Sequence, residues 1–456
     1  MTLHRLPFEF QVEDDGPRAT AWGGLPVVAE AMDLMGVTEA LRAEVKLSGR
    51  RKFDAAQIVK TLVLTMAAGG DCVDDVAVLR SDSALQELLK LDIPSPETVR
   101  QTLDLFHDQA LVEAARDEAT RNEMKAYVPE ESTLLKGLGR AKSALIRNVQ
   151  KRWPTKVATL DIDATIQESH KREATPHYKN GLGYQPLIAV WAEADLVVAD
   201  EFRDGNVPAH FDALHVAQRA FAALPAGIER RRCRADTQMY NTAALNWLVE
   251  QGIEFAIGII KRDGFDNECR AAAETQWSFL ETRSDSDLHV MELNYKPEKM
   301  RNVKGLRYLA IRLTPHQDDL LDRGRATRYL GVVTNQRGEV AELVRWYWAK
   351  GGTIEHVHDV LKNDLGAGVF PCGRFGANAA WLRICVLTHN LLRVIRAVSP
   401  AELKDSRPKR LRLHLFAIPA LLRSHARRLV ACVSDFAASL LATRSALWGL
   451  PRLRPQ

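Results

Sequence analysis

An α/β protein, with a mixed sheet between helical flanks, is the fold this sequence predicts, and three observations predict it. Residues 25–129 repeat apolar side chains at helical spacing, with no strand-like run among them. From about residue 157 short alternating or wholly apolar segments take over, in the order of three strands, then helix, strand, helix, strand. The chain has 456 residues, 46% hydrophobic and 26% charged. That is enough to bury a full core and to divide into two or more domains.

The elements follow in order. After a short irregular start, 25–47 and 53–69 read as amphipathic helices, the second ending at the breaker Ala68-Gly69-Gly70. Helices are predicted over 73–79, 83–90 and 97–115. Ser95-Pro96-Glu97-Thr98 makes a helix start from a Ser cap, an early Pro and an acid in the first turn. A looser connector then reaches about residue 150. Strands are predicted at 157–163, 187–190 and 196–201, a helix at 209–223, and a strand ending at 232–236. A helix over 242–251 and a hydrophobic strand over 253–260 complete that stretch. Between 270 and 338 the pattern is strand-like again, at 289–293, 306–313 and 329–334, which reads as an all-β insertion. Residues 339–365 and 375–397 return to helix. In the last sixty residues Arg407, Lys409, Arg410 and Arg412 sit together, and Arg423, Arg427 and Arg428 fall on a later predicted helix. This basic helical end is either a solvated face or part of a DNA-contacting surface. The expected division is 1–150, 151–269, 270–338, 339–398 and 399–456.

Composition excludes some classes. Lys and Arg number 62 against 58 Asp and Glu, so the chain is no polycation, although a local basic patch would still suit nucleic acid. Six cysteines with no CxxC fit neither a zinc knuckle nor a disulfide scaffold, and read as reduced thiols. The first twenty residues carry Glu9, Glu13, Asp14 and Asp15 and lack a basic flank leading into an apolar core. No stretch reaches the length of a membrane span without charge, so no membrane is expected and the cytoplasm, in association with the nucleoid, is the default. Gly181-Leu-Gly183 lacks the Lys-Ser/Thr of a phosphate loop, and no nucleotide cofactor is implied.

The carboxylates carry the chemistry. Asp161 and Asp163 alternate along one predicted strand, so both point to the same face. Asp236 ends another strand. Glu355 lies in the helical run 353–362, where Ile354, Val357 and Leu361 form the apolar stripe and Glu355 with Lys362 lies toward the polar side. Three separated carboxylates suit a pair of Mg²⁺ ions, because hard divalent ions prefer oxygen ligands and two of them assist an in-line phosphoryl displacement. Equally, an acidic residue taken alone is a solvated surface group, unless it lies inside a hydrophobic strand, where it has to be paired or bound to a metal.

At these residues the sequence resembles the DDE-type insertion-sequence transposases, in particular transposase DDE domain group 1. The likeness is carried by Leu160-Asp-Ile-Asp-Ala-Thr165, Gly183-Tyr184-Gln-Pro186, Arg234-Ala-Asp236 with Tyr240-Asn241, and Ile354-Glu355 through Lys362. Arg337-Gly338-Glu339 and Asn378 add to it, as does the region of Asp74-Asp75, Leu79-Arg80-Ser-Asp82, Ser95 and Thr98. The resemblance implies an RNase H-like catalytic core with a β insertion, which the 119 positions between Asp236 and Glu355 accommodate. It implies Asp163, with Asp161 in reserve, Asp236 and Glu355 as catalytic and metal-binding residues, with Mg²⁺ as cofactor and Mn²⁺ as its substitute. Many relatives place a Tyr seven before the glutamate, an Arg four before it and a Lys seven after it. Lys362 fits; the Tyr place is Trp348 with Tyr347 adjacent, and the Arg place is Gly351 with Lys350 adjacent. The implied function is cleavage of DNA at the terminal inverted repeats of an insertion sequence and joining of the 3′-hydroxyls to target DNA, by a cut-and-paste route, with a homodimer on the DNA. A related nuclease that only hydrolyses, and a decayed DNA-binding copy, stay open as alternatives.

Other residues are weighed both ways. Arg42, Lys46, Arg50, Arg51 and Lys52 form the most basic local cluster, either a DNA-end contact or a solvated turn. His170 and His177 flank Glu173 in a polar segment, a spacing that rarely makes a zinc site. His356 and His358 do not share a helical face. Trp346, Tyr347 and Trp348 span too wide an arc to be buried together, so they either line a DNA channel or pack on the β insertion.

Overall fold

The computed structural model describes residues 18–260, 263–316, 326–425 and 428–451. The amino-terminal helices include α1 (Pro26–Leu34), α2 (Val37–Glu44) and α3 (Ala55–Ala68). The run predicted as one helix over 25–47 is two, because Gly36 takes the left-handed conformation at φ 70°. Asp54 and Gln57 form a capping box at the start of α3, and Gly69 ends it at φ 104°. Ser95 caps the helix Pro96–Asp104 as expected, but Asp108 caps a separate helix, Gln109–Arg121, where one run was predicted. The predicted connector to residue 150 is the helix α4 (Thr133–Arg152), whose buried Leu135, Leu138, Leu145 and Ile146 recur at helical spacing.

Nine strands make the central sheet: β1 (Val157–Ala164), β2 (Leu187–Trp191), β3 (Leu196–Glu201), β4 (Arg230–Ala235), β5 (Glu254–Gly258), β6 (Ser278–Thr282), β7 (Ser286–Leu293), β8 (Arg307–Pro315) and β9 (Arg328–Thr334). Their order is β6-β7-β8-β9-β5-β4-β1-β2-β3. β1, β4 and β5 run parallel to one another and every other pairing is antiparallel. The parallel pairs need crossovers, which α5 (Ala213–Ala222) and α6 (Thr242–Glu250) supply. The β-rich stretch after residue 270 is not a separate layer. Its four strands continue the same sheet, because β9 hydrogen-bonds to β5.

After the sheet come α7 (Val340–Trp348), a π-helical turn at Gly351–Glu355, α8 (His356–Asp364) and α9 (Phe375–Val398). α9 is the central post of the core, with nineteen of its residues buried against α1, α3, α4 and β3. Among the described residues no helix is long and apolar enough to cross a membrane. The carboxyl-terminal region departs from the helical expectation. Arg423 and Arg428 lie on the paired strands Ala420–His425 and Arg428–Cys432, not on a helix, and the first of these strands also pairs with Ala19–Thr20. Arg427 lies outside the described residues, as do Glu9, Glu13, Asp14 and Asp15. No disulfide joins any of the six cysteines, all of which lie among the described residues.

Candidate functional site

Two neighbouring strands supply the floor. β1 and β4 are parallel, with Asp161 beside Arg234 and Ile162 beside Ala235. Alternation then sends Asp161, Asp163, Arg234 and Asp236 out of the same face of the sheet. Asp163 is the penultimate residue of β1 and Asp236 immediately follows β4, so both carboxylates stand at the carboxyl edge of adjacent strands. Asp161 lies one step deeper, is fully buried, and has both oxygens engaged by Arg234 at 2.6 and 2.8 Å.

The wall is the α7–α8 segment. Val344, Ile354, Val357 and Leu361 bury one stripe, which leaves Glu355 exposed above the strand ends. Lys350 is turned inward and only 6% exposed. Its Nζ donates to Asp236 Oδ1 and lies 3.8 Å from Asp163 Oδ2. The helix between them widens into the π turn at 351–355, which takes up one residue more than an α turn. Tyr347 and Lys350 keep the spacing of three, but each stands one place further from Glu355 than the expected Tyr and Arg places.

The electrostatics are those of crowded negative charge. Burial, with Asp236 and Glu355 close by, pushes Asp163 up to about 6 against the opposing pull of the Lys350 ammonium. Asp236 is less confined, its side chain 51% exposed against 19% for Asp163. His358 packs beneath the site, where burial and the Lys350 charge hold it down to about 4, so at neutral pH its ring is uncharged.

Beside the carboxylates opens a cavity of about 290 Å³, lined by Asp236, Tyr347, Trp348, Lys350 and Glu355 on one side and by Ile259, Ile311, Leu330 and Val332 on the other. Tyr347 reaches in so closely that a Cβ on Gly258 would stand 2.8 Å from its hydroxyl, which explains the glycine ending β5. Trp346 turns away and is stacked by Arg232 and Arg234 at 3.9 and 5.3 Å, while Arg283 covers Trp348 at 4.4 Å. Of the three aromatics, then, two line the cavity and one is packed. Lys362 is exposed on α8, two turns beyond Glu355 and on the same face.

The donor set fits a hard divalent cation in type and charge. It offers only carboxylate oxygens, one of them driven toward protonation by burial and then by its negative neighbours, and a cationic group already nests between two of them. Asp163, Asp236 and Glu355 do not close into a single coordination sphere. Among the described residues the group of three ligand atoms all within 4.8 Å of one another is Asp71, Cys72 and Asp75, where Asp75 accepts from the amides of residues 71 and 72.

The remaining sequence candidates are dispersed. Arg50, Arg51 and Lys52 lie exposed in the turn between α2 and α3, Lys46 donates to the carbonyl of Arg42, and Arg42 pairs with Asp54. The cluster is therefore a turn rather than a recognition helix. His170 is exposed while His177 is buried against Gly181; His356 is exposed while His358 is half-buried. The places of Arg234, Thr353 and His358 beside the site were not visible in the sequence, since each depends on partners far along the chain.

The family model described as Transposase DDE domain group 1 matches residues 8–455. No curated protein matches the chain. Among solved structures, the cryo-EM structure of a piggyBac transposase synaptic complex with hairpin DNA is similar at 11% identity and a TM-score of 0.40, over 85% of this chain and 77% of that one.

Proposed function

Because the chain belongs to the transposase DDE domain group 1 family, we propose that it cuts DNA at the ends of its own insertion sequence and joins the freed 3′-hydroxyls to target DNA by a cut-and-paste route. The observation that carries this reading is the convergence of Asp163 and Asp236, from adjacent parallel strand ends, on one buried ammonium beside Glu355. Asp163, Asp236 and Glu355 would hold Mg²⁺, or Mn²⁺ in its place, with Asp161 committed to Arg234 instead. When bound, the metal supplies Lewis-acid stabilisation of charge on the attacking and leaving oxygens of the phosphodiester.

The chain's own residues do the rest. Lys350, freed from the carboxylates, and Lys362 would hold phosphates on either side of the scissile bond as point charges. Tyr347 and Trp348 wall the cavity of about 290 Å³, where they would stack on a displaced base, with Ile311 and Val332 on its apolar side. Strand order β3-β2-β1-β4-β5, antiparallel then parallel, supports an RNase H-like core with β6–β9 as its insertion. Residues 1–150 would bind the terminal repeat, with Arg42, Lys46, Arg50, Arg51 and Lys52 as contacts, and the region 399–456 would add basic surface. Action on two ends implies a homodimer on DNA.

The deciding experiment is cleavage and strand transfer on a labelled duplex bearing the element's own end, with Mg²⁺ or Mn²⁺. Wild type is compared with Asp163→Ala, Asp236→Ala and Glu355→Ala. Metal-dependent cutting and joining should fall about 1,000-fold or more in each variant, since each loses several kcal/mol of transition-state stabilisation, while end binding survives. Cutting without joining would reduce the protein to a nuclease; binding without chemistry in the wild type would overturn the reading.

A further inference from the structure

We propose that Asp161, Arg234 and Thr353 are positioning residues, a buried clamp that sets where Lys350 and Glu355 stand relative to Asp163 and Asp236; this rests on the site being the phosphoryl-transfer centre proposed above.

Asp161 and Arg234 each lie two residues before a site aspartate, on the same strand and the same face. Their pair is bidentate, and both side chains are almost wholly buried. The guanidinium has one more nitrogen to spend, and Nη1 donates to the carbonyl of Trp346 at 2.7 Å. That carbonyl is available for a reason. A regular α-helix would give it to the amide of Lys350, but that amide turns back to Tyr347 at 3.2 Å as the chain enters the wide turn. Arg234 thereby takes a carbonyl that the helix has released.

The second grip lies inside the π turn. Thr353 Oγ1 meets Asp161 Oδ2 and is also 2.9 Å from the carbonyl of Lys350. The clamp therefore holds the segment on both sides of Lys350 and two residues before Glu355. A buried ion pair is a poor means of adding stability, since apolar residues of similar volume serve as well or better. What this one supplies is registry between a helix and two strands, at the place where the helix carries an extra residue. Partners that orient metal-binding groups typically govern affinity or activity by about 10- to 100-fold.

The test uses the full-length chain and its end duplex, with Thr353→Val, which removes the hydroxyl at nearly constant shape, and Thr353→Ser, which restores it. Mn²⁺ binding is read from the EPR signal of the free ion, together with single-turnover cleavage at saturating Mn²⁺, end-duplex binding and thermal unfolding. Thr353→Val should stay folded and bind the end duplex normally, yet bind Mn²⁺ about 10-fold more weakly and cut about 10-fold more slowly, with Thr353→Ser close to wild type on both counts. If Thr353→Val does not fold, the same measurements on Asp161→Asn decide. A folded variant that binds Mn²⁺ and cuts like wild type overturns the clamp alone. A wild type that neither binds Mn²⁺ nor cuts overturns the underlying reading of the site, and the clamp with it.

Discussion

Asp163 and Asp200 lie in one cross-strand row of the same sheet, linked through Ile188, so their side chains leave by the same face about two strand spacings apart. Their environments are opposite. Asp200 is fully buried between Lys142 on α4 and Arg383 on α9, and Arg383 is braced in turn by Glu131 at 2.8 and 2.9 Å. Although burial opposes it, the two cations hold the Asp200 carboxyl well below the usual range. Asp163 is pushed up to about 6 by burial first, and by Asp236 and Glu355 nearby, while it shares the ammonium of Lys350 with Asp236. The first carboxylate has more positive charge around it than it needs, and the second has less. A carboxylate that supports a fold is satisfied from within the chain; one that awaits a cation is left short of charge and open to a cavity.

Removing each member of the row should therefore have unequal effects on stability. Asp200→Asn leaves Lys142 and Arg383 buried with too little counter-charge, and should cost about 3–5 kcal/mol in urea unfolding. Asp163→Asn, measured alongside without divalent metal, should leave stability unchanged or slightly higher. Equal losses in the two variants would break the comparison.

A third carboxylate sharpens it through pH. Burial raises Asp204 to about 6, with only Arg116 pulling against it. A raised folded value means that its favourable contribution is complete below the unfolded value and is lost as pH climbs from about 4 through about 6. Asp204→Asn should then be more stable than wild type at pH 7, by roughly 2–3 kcal/mol, and should converge with it near pH 4. Parallel urea midpoints across that range would refute this assignment.

The smallest effect concerns the cation itself. Lys350→Met leaves Asp163 and Asp236 facing each other, and should lower metal-free stability by about 1–2 kcal/mol. Added Mn²⁺ should raise the melting temperature of this variant more than that of wild type. An equal rise in both would mean that Lys350 and the metal do not compete for one place.

The sequence made parts of this site legible and hid others. Alternation in short hydrophobic runs put Asp161, Asp163 and Asp236 on or at the ends of strands, and only the family resemblance chose Asp163 over Asp161. The helical stripe put Glu355 and Lys362 on the polar side, and the resemblance singled them out. Lys350 entered only as the neighbour of the expected Arg place, and its approach to both Asp163 and Asp236 depends on how the helix docks on the strand ends. The β-rich stretch after residue 270 was legible as strands, but its continuity with the sheet was not, because strand pairing leaves no local trace. The tail misled for the opposite reason. Its arginines suggested a basic helix, whereas Ala420–His425 pairs with both Ala19–Thr20 and Arg428–Cys432 as sheet.

Local chemistry thus sufficed for much of what depends on neighbours along the chain: most of the central strands, the cap at Ser95, and the carboxylates that stand at strand ends. The tertiary structure alone decided what depends on partners far apart in sequence. It set Asp161 against Arg234 and Thr353, Asp200 against Lys142 and Arg383, and one lysine between two aspartates. The physical reason is that a carboxylate carries the same charge wherever it stands in the chain, and only the burial and counter-charge that folding brings to it determine whether it supports the structure or awaits a cation.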